Sequence, residues 1–266
     1  MPELERILQK ITLVILDMDG VIYRGNRPIE GAARAVAFLR GLGKKVVFLT
    51  NNSENSRAYY VQKLRRMEIP VGEKDVITSG QIAADYIRRR DPQAKVFVIG
   101  GEGLVEEISS AGLRLVPPEK AAYLVVGIDQ SLTYEKLKDG LRALLSGAKF
   151  IATNLDRVYP TEHGFLPGAG AIVAALERSS GRRPDVVIGK PSPHMILYVL
   201  RSLRTKPGET VIIGDQIETD IKAGKRTGLF TILVLSGVAT EEDVRKIKGT
   251  KNAPDCVLGS LAEVVR

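Results

Sequence analysis

The stretch ILDMDGVIYRGN, residues 15 to 26, closes an apolar run with two aspartates one residue apart, Asp17 and Asp19, and follows them at once with Gly20. Asp and Gly favour turns, so the plainest reading is a turn after a strand. The alternative is chemical. In an extended strand residues i and i+2 project from the same face, so this spacing aims both carboxylates at one point if the strand geometry persists. Two carboxylates that close repel, and one keeps its proton unless a cation compensates. A hard divalent ion such as Mg²⁺ is the natural compensator, because it favours carboxylate, carbonyl, water and phosphate oxygens. An EF-hand calcium loop is excluded: glycine falls at the fourth loop position instead of the sixth, and Pro28 stands at the twelfth where glutamate is needed.

Outward from this segment, short β-branched apolar runs alternate with helical patterns along nearly the whole chain, the signature of βαβ units and a parallel sheet covered on both faces. Strands are expected at 11–17, 45–51, 95–101, 122–129, 150–154, 186–190, 210–215 and 231–236. The spacing of Ala35, Phe38, Leu39 and Leu42 predicts a helix over 31–43 stopped by Gly43, and Thr133 reads as the N-cap of a helix over 133–147. Four of the expected strand ends carry chemically loaded residues: Asp17, Thr50, Lys190 and Asp215. Ligands of open parallel sheets bind beyond the carboxyl ends of the strands, so these residues are expected to converge. The strands from about 95 to 154 end instead in GGEG, GIDQ and TNLD, without an acid pair or a lysine, which marks an inserted second unit.

The loaded residues form a parts list. Asp215 at a strand end can reach the same cation as Asp17 and Asp19, and Asp220, five residues on, is placed as a further ligand or an outer anchor. Lys190 offers a fixed charge that can neutralise a nucleophilic carboxylate and a bound phosphate together. Thr50, with Asn51, Asn52 and Ser53, supplies hydroxyls, amides and N–H groups suited to phosphate oxygens. Nucleophile, acid/base, metal, cationic clamp and oxygen donors are the needs of phosphoryl transfer.

Composition narrows the classes. A chain of 266 residues with 44% hydrophobic and 26% charged residues reads as globular. Its net charge of +8 would suit an anionic partner, but the basic residues are scattered, and the densest groups, Arg65-Arg66 and Arg88-Arg89-Arg90, end apparent helices, where cations complement the helix dipole. With 5% aromatic residues and no basic stripe, nucleic acid is not the expected partner; a small phosphorylated metabolite is. No apolar run approaches the roughly 20 residues of a membrane span, and the N-terminus lacks a signal peptide's apolar core, so a cytoplasmic protein is expected without membrane association. The single Cys256 forms no intramolecular disulfide. Gly100, Gly101 and Gly103 in VIGGEGL lack the full dinucleotide-binding spacing and read as a tight strand-to-helix turn. His163 and His194 have no further ligand at zinc spacing, and His194 reads as the start of a helix.

DMDGVIY, LTNNS, GKPSP and GDQIETDI, in that order, resemble the four motifs of the haloacid dehalogenase (HAD) superfamily. The resemblance is to its subfamily IIA, which carries a C2-type α/β cap between the second and third motifs and includes NagD-like and p-nitrophenylphosphatase-like phosphatases. It extends through VIGGEGL, VVGIDQSLTYEKL and FIATNLDRVYPTEHGFLPGAGAIVAAL. What it implies is an α/β fold: a doubly wound parallel-sheet, Rossmann-like core over 1–79 and 187–266, with the inserted cap over 80–186. It also implies Mg²⁺-dependent hydrolysis of small phosphomonoesters. In that scheme Asp17 is nucleophile and metal ligand, Asp19 is acid/base and lends its carbonyl to the metal, and Asp215 completes the ligands with Asp220 in support. Thr50 holds a phosphoryl oxygen and Lys190 stabilises the charged intermediate. Asp19 favours phosphatase over dehalogenase chemistry, which does not need a second acid. A binding regulator on the same fold is the alternative, but none of Asp17, Asp19, Lys190 and Asp215 is missing. Gln216 stands where many relatives have arginine. Asp129, Asn154, Asp156, Tyr159 and His163, at strand ends or in a polar loop of the cap, are the expected substrate contacts beside Asn51, Asn52 and Ser53. The same analogy predicts a homodimer through the cap. The natural substrate stays open among a sugar phosphate, a nucleotide, phosphoglycolate and pyridoxal phosphate.

Overall fold

The structure is a computed structural model that describes residues 2–161 and 164–265. Six parallel strands form the larger sheet, in the spatial order Cys256–Leu258, Phe230–Val234, Thr210–Gly214, Leu13–Leu16, Lys45–Thr50 and Val76–Thr78. The chain's first strand lies in the middle, and later strands are added outward on either side of it. Strand order therefore reverses at Leu13–Leu16, and a crevice opens beyond its carboxyl end.

Alternation along the central strands divides their side chains between two cores. Val14, Leu16, Val46 and Phe48 pack with Ala35, Val36 and Leu39 of the helix Ala32–Gly41. Leu13, Ile15, Val47 and Leu49 face the other way, onto the helices Ser79–Arg88, Glu102–Ser110 and His194–Leu203. Each fully buried aliphatic side chain of this kind contributes about 1.5–3 kcal/mol, so a sheet covered on both faces is strongly held.

A second sheet of five parallel strands runs in the order Val186–Val187, Lys149–Ala152, Tyr123–Val126, Lys95–Ile99 and Arg114–Leu115. Val96, Tyr123, Val125 and Ile151 join the same apolar cluster as Leu13 and Ile15, so the three helices fill the space between the sheets and serve both. The opposite face packs on the helices Tyr134–Leu145 and Ala169–Ser180. Two antiparallel hairpins complete the described strands, Tyr23–Arg24 with Arg27–Pro28 and Val158–Thr161 with Gly164–Pro167.

The parallel α/β architecture follows the expectation, and three details differ from it. The run at 186–190 forms a strand only over Val186–Val187, and this strand pairs with Lys149–Ala152 in the second sheet. Lys190 therefore approaches the crevice from the edge of the second sheet, not from a strand end of the first. Val76–Thr78 and Cys256–Leu258, three residues each, close the two edges of the large sheet and are too short to register as a periodic pattern. Thr133 does cap its helix, accepting the amide of Lys136 at 3.2 Å, and His194 does begin one. Among the described residues no helix is long and apolar enough to cross a membrane.

Candidate active site

The central strand ends at Leu16, and the Asp17 amide still donates to the Ile213 carbonyl of the neighbouring strand at 2.9 Å. Extended geometry stops there. The Met18 carbonyl accepts from Ile22 at 2.8 Å, and the Gly20 amide donates to the Tyr23 carbonyl at 2.8 Å, which folds residues 18–23 into a tight turn. Asp17 and Asp19 both face one crevice, but through this turn and not through strand alternation. Gly20 has φ 79°, the left-handed region that costs a residue with a Cβ about 1–2 kcal/mol, and a Cβ there would run into the Asp215 carboxylate. Turn chemistry and site chemistry thus require the same DMDG.

Lys190 lies 2% exposed between two carboxylates, donating to Asp17 Oδ1 at 2.5 Å and Asp220 Oδ1 at 2.6 Å. The other Asp220 oxygen accepts the Gln216 amide at 3.2 Å. Asp215 Oδ2 accepts the Val238 amide at 2.8 Å, while its Oδ1 is buried with no hydrogen-bond partner. Oxygens of Asp17, Asp215 and Asp220 lie within 4.8 Å of one another. Burial is the main cause that pushes Asp17 well above the ordinary carboxylate range, opposed by Lys190, and burial followed by the Asp220 charge pushes Asp215 up to about 7. Burial likewise raises Asp19 to about 6, against the pull of Lys63 and Lys190. Burial also opposes the Lys190 charge, but Asp17 and Asp220 outweigh it and raise its pKa. Three clustered acids, one with an orphaned buried oxygen, match what a hard divalent cation takes as ligands.

Thr50 ends its strand on the other side of the crevice. Its hydroxyl oxygen accepts the Asn52 amide at 3.0 Å, which leaves the hydroxyl proton for an incoming oxygen. Asn52 Oδ1 accepts the Glu54 amide at 2.8 Å, so its NH₂ group is the one directed to a ligand. Asp156, Ile128, Val158 and Tyr159, all from the second unit, form the facing wall.

Comparison with known protein families gives two matches. A model described as haloacid dehalogenase-like hydrolase matches residues 14–114, and one described as HAD-hydrolase-like matches 187–264. The acid sugar phosphatase of Staphylococcus epidermidis is 40% identical over 231 residues, which cover 87% of this chain and 89% of that one. The chain belongs to the haloacid dehalogenase-like hydrolase family. Among solved structures, p-nitrophenyl phosphatase from Archaeoglobus fulgidus superposes with a TM-score of 0.91 at 41% identity, covering 96% of this chain and 98% of that one. NagD from Escherichia coli K-12 gives a TM-score of 0.86 at 33% identity, covering 96% and 98%. This HAD-like hydrolase is of the NagD-like kind.

Within the hydrolase, the residues expected from sequence separate into groups. Asp17, Asp19, Thr50, Asn51, Asn52, Asp156, Tyr159, Lys190 and Asp220 line the crevice, and Asp215, buried behind them, has a carboxylate oxygen within 4.8 Å of those of Asp17 and Asp220. Tyr159 also accepts a hydrogen bond from Gln130 at 2.8 Å. Ser53 does not reach the crevice; its hydroxyl is fully buried and bonds the Thr153 hydroxyl at 3.1 Å, joining the two units. The Asp129 carboxylate is consumed by Lys136 at 2.7 Å and by the amide and hydroxyl of Ser131. Asn154 is buried, donating to the Asn51 carbonyl at 2.8 Å, and the side-chain amide of Asn51 is turned onto Lys190. His163 lies outside the described residues. Sequence reasoning missed Ile128 and Val158, which carry no polar signal, and Gly237, where a Cβ would collide with Asp215; a serine-glycine pair after a strand was its only trace.

Proposed function

We propose that the protein is a Mg²⁺-dependent phosphatase that hydrolyses small phosphomonoesters through a phosphoryl group carried transiently on Asp17. The observation that carries this reading is the buried Lys190 ammonium held between Asp17 and Asp220, with Asp19 opening onto the same crevice. Lys190 counters the burial that favours a protonated Asp17, and so supports the carboxylate, which is the attacking form.

An Asp17 oxygen attacks phosphorus as the bond from phosphorus to the ester oxygen breaks. Asp19, raised to about 6, is poised near neutrality to give its proton to the departing oxygen. The Asp19 carboxylate so formed takes a proton from water as that water attacks phosphorus, which breaks the bond to Asp17 and releases inorganic phosphate. The Thr50 hydroxyl and the Asn52 amide hold phosphoryl oxygens. Asp215, through its unpartnered Oδ1, and Asp17 are the residues that would hold Mg²⁺, with Asp220 behind them, and a bound ion would help neutralise the charge on the nucleophile and the phosphoryl group.

The unit built on the second sheet is the proposed cap, over about 80–186, and its Ile128, Val158 and Tyr159 would meet the leaving group. The names of the relatives, p-nitrophenyl phosphatase and acid sugar phosphatase, support an aryl phosphate as artificial substrate and a sugar phosphate as a natural one. Dimerisation through this unit is a proposal of the same kind, supported by the exposed Phe165 and Leu166 on its hairpin; a monomer mass in light scattering would remove it.

The deciding assay is p-nitrophenyl phosphate hydrolysis, which EDTA and Asp17→Asn should each abolish. An Asp17→Asn protein with wild-type turnover would overturn the nucleophile assignment. Asp19→Asn should impair alkyl phosphates more than phenyl ones, since the poorer leaving group depends more on the proton; equal losses would remove Asp19 from that role.

A further inference from the structure

Asn51 stands in the motif expected to grip phosphate, yet its side chain grips protein instead. Its Oδ1 accepts the Lys190 amide at 2.8 Å and its Nδ2 donates to the Lys190 carbonyl at 2.9 Å. One side-chain amide thus takes both polar groups of a single residue's backbone, as a neighbouring strand would. The second hydrogen of Nδ2 goes to Asp156, at 3.0 Å from Oδ2 and 3.3 Å from Oδ1. The Asn51 main chain is fixed as well: its carbonyl accepts Asn154 Nδ2 at 2.8 Å and the Ser79 hydroxyl at 2.5 Å. Asn154 in turn accepts the Asp156 amide at 3.0 Å. The approach depends on Gly189, where a Cβ would stand 2.7 Å from Asn51 Oδ1 and 2.8 Å from Asn154 Cβ.

These contacts have a direction. A carboxamide can present either end, and an acceptor-only carboxylate beside it selects the NH₂ end. With Asp156 in place, Nδ2 faces Asp156 and the Lys190 carbonyl, and Oδ1 is left for the Lys190 amide. A reversed amide would set Oδ1 against two acceptors and Nδ2 against a donor. The Lys190 backbone is therefore held where the side chain, already 2% exposed and without room to wander, places its ammonium between Asp17 and Asp220.

We propose that Asn51 and Asp156 are positioning residues for Lys190: Asp156, carried on the loop after the second-sheet strand Lys149–Ala152, orients the Asn51 amide, which fixes the Lys190 backbone and aims its ammonium at the nucleophile. The seating of the second unit is thereby tied to the placement of the lysine. This inference rests on the phosphatase reading for its effect on rate, and it differs from a role for Asp156 or Asn51 in contacting the leaving group. A leaving-group contact acts through KM and varies with the ester. A displaced Lys190 acts on the nucleophile and phosphoryl group, which all esters share.

The test compares Asp156→Ala, Asp156→Asn and Asn51→Asp with wild type on a phenyl and an alkyl phosphate, with thermal melts to show that each is folded. Asp156→Ala should lower kcat by about 10- to 100-fold, the usual loss on removing an outer partner of an active-site group, by the same factor on both esters and with little change in KM. Asp156→Asn keeps an acceptor for Nδ2 and should retain most activity, whereas Asn51→Asp places a carboxylate against the Lys190 carbonyl and should lose at least as much as Asp156→Ala. A wild-type kcat for Asp156→Ala, or a loss in KM alone, or a loss that differs between the esters, overturns the inference. A second measurement is independent of activity. Reductive methylation read by peptide mass spectrometry should find Lys190 resistant in wild type and more reactive in Asp156→Ala, and equal reactivity overturns the inference even if the wild type hydrolyses neither ester. That last result on its own would instead count against the phosphatase reading.

Discussion

Lys190→Met removes the ammonium that sits inside the acid cluster while keeping a side chain of similar length. Asp17, Asp215 and Asp220 are each at most 8% exposed, and their oxygens lie within 4.8 Å of one another, so solvent cannot replace the lost charge. Deleting one partner of a buried, hydrogen-bonded ion pair costs about 3–5 kcal/mol, since the remaining charge is left uncompensated. For a chain of this size each kcal/mol moves the melting temperature by about 2–4 °C, so the metal-free variant should melt about 6–20 °C lower. Mg²⁺ should then recover more for the variant than for wild type, because the more negative site binds the ion more tightly; saturation at about 100 times Kd adds about 2.7 kcal/mol. Turnover should fall by about 10²–10³, the usual loss on removing a preorganised electrostatic donor, and Mg²⁺ should not restore it. Scanning calorimetry with EDTA and with Mg²⁺, beside p-nitrophenyl phosphate kinetics, measures all three. Equal melting of variant and wild type in EDTA would refute the reasoning, since it would mean that the carboxylates do not rely on Lys190.

Gly20→Ala should destabilise by about 1–2 kcal/mol from its positive φ alone and should also weaken Mg²⁺ binding, because the new Cβ presses on Asp215; titration calorimetry with unchanged affinity would separate the turn from the site. Asp215→Asn should bind Mg²⁺ far more weakly by the same method while keeping its fold, as the Val238 amide still finds an acceptor. Asp255 accepts Lys225 at 2.6 Å and both the amide and hydroxyl of Thr231 at 2.8 Å, and these bonds outweigh burial to hold its carboxyl below the usual range. A depressed folded value stabilises above the unfolded pKa, near 3.9, and that stability is lost as pH falls through the folded value. Asp255→Ala should therefore cost about 1–2 kcal/mol at pH 7, discounting for partial exposure, and progressively less as the pH is lowered below about 4, which urea melts at the two pH values would show.

How much of the site was legible depended on whether a residue's role was local. Asp17, Thr50 and Asp215 stand at or just past the ends of parallel strands of one sheet, and a βαβ chain brings such ends together by topology alone. Lys190 was found for a reason that holds only in part: it does meet these residues, but from the edge of the second sheet, which no periodicity around 186–190 distinguishes from a strand of the first. Asp17 and Asp19 do face one crevice, but not by strand alternation, since the strand stops at Leu16 and a turn stabilised on the Met18 carbonyl does the aiming.

What stayed hidden was the division of labour among polar residues that look alike in one dimension. Asn51, Asn52 and Ser53 are adjacent and all able to bond a phosphate, yet only Asn52 has a free donor at the crevice. Asn51 is spent on Lys190 and Ser53 on Thr153, partners that lie 139 and 100 residues away. Asp129 and Asp156 both follow strands of the second sheet, but Lys136 in the first turn of the next helix claims the first, and only the second is left to reach across. A buried polar group is assigned by whichever partner satisfies it, because leaving it unpaired costs about 1–3 kcal/mol. The identity of that partner is fixed by tertiary contact and not by neighbours in the chain. The same logic identifies Asp215 Oδ1 as the oxygen that awaits a partner from outside: among the described residues, every other fully buried carboxylate oxygen around Lys190 has a protein donor, and this one has none.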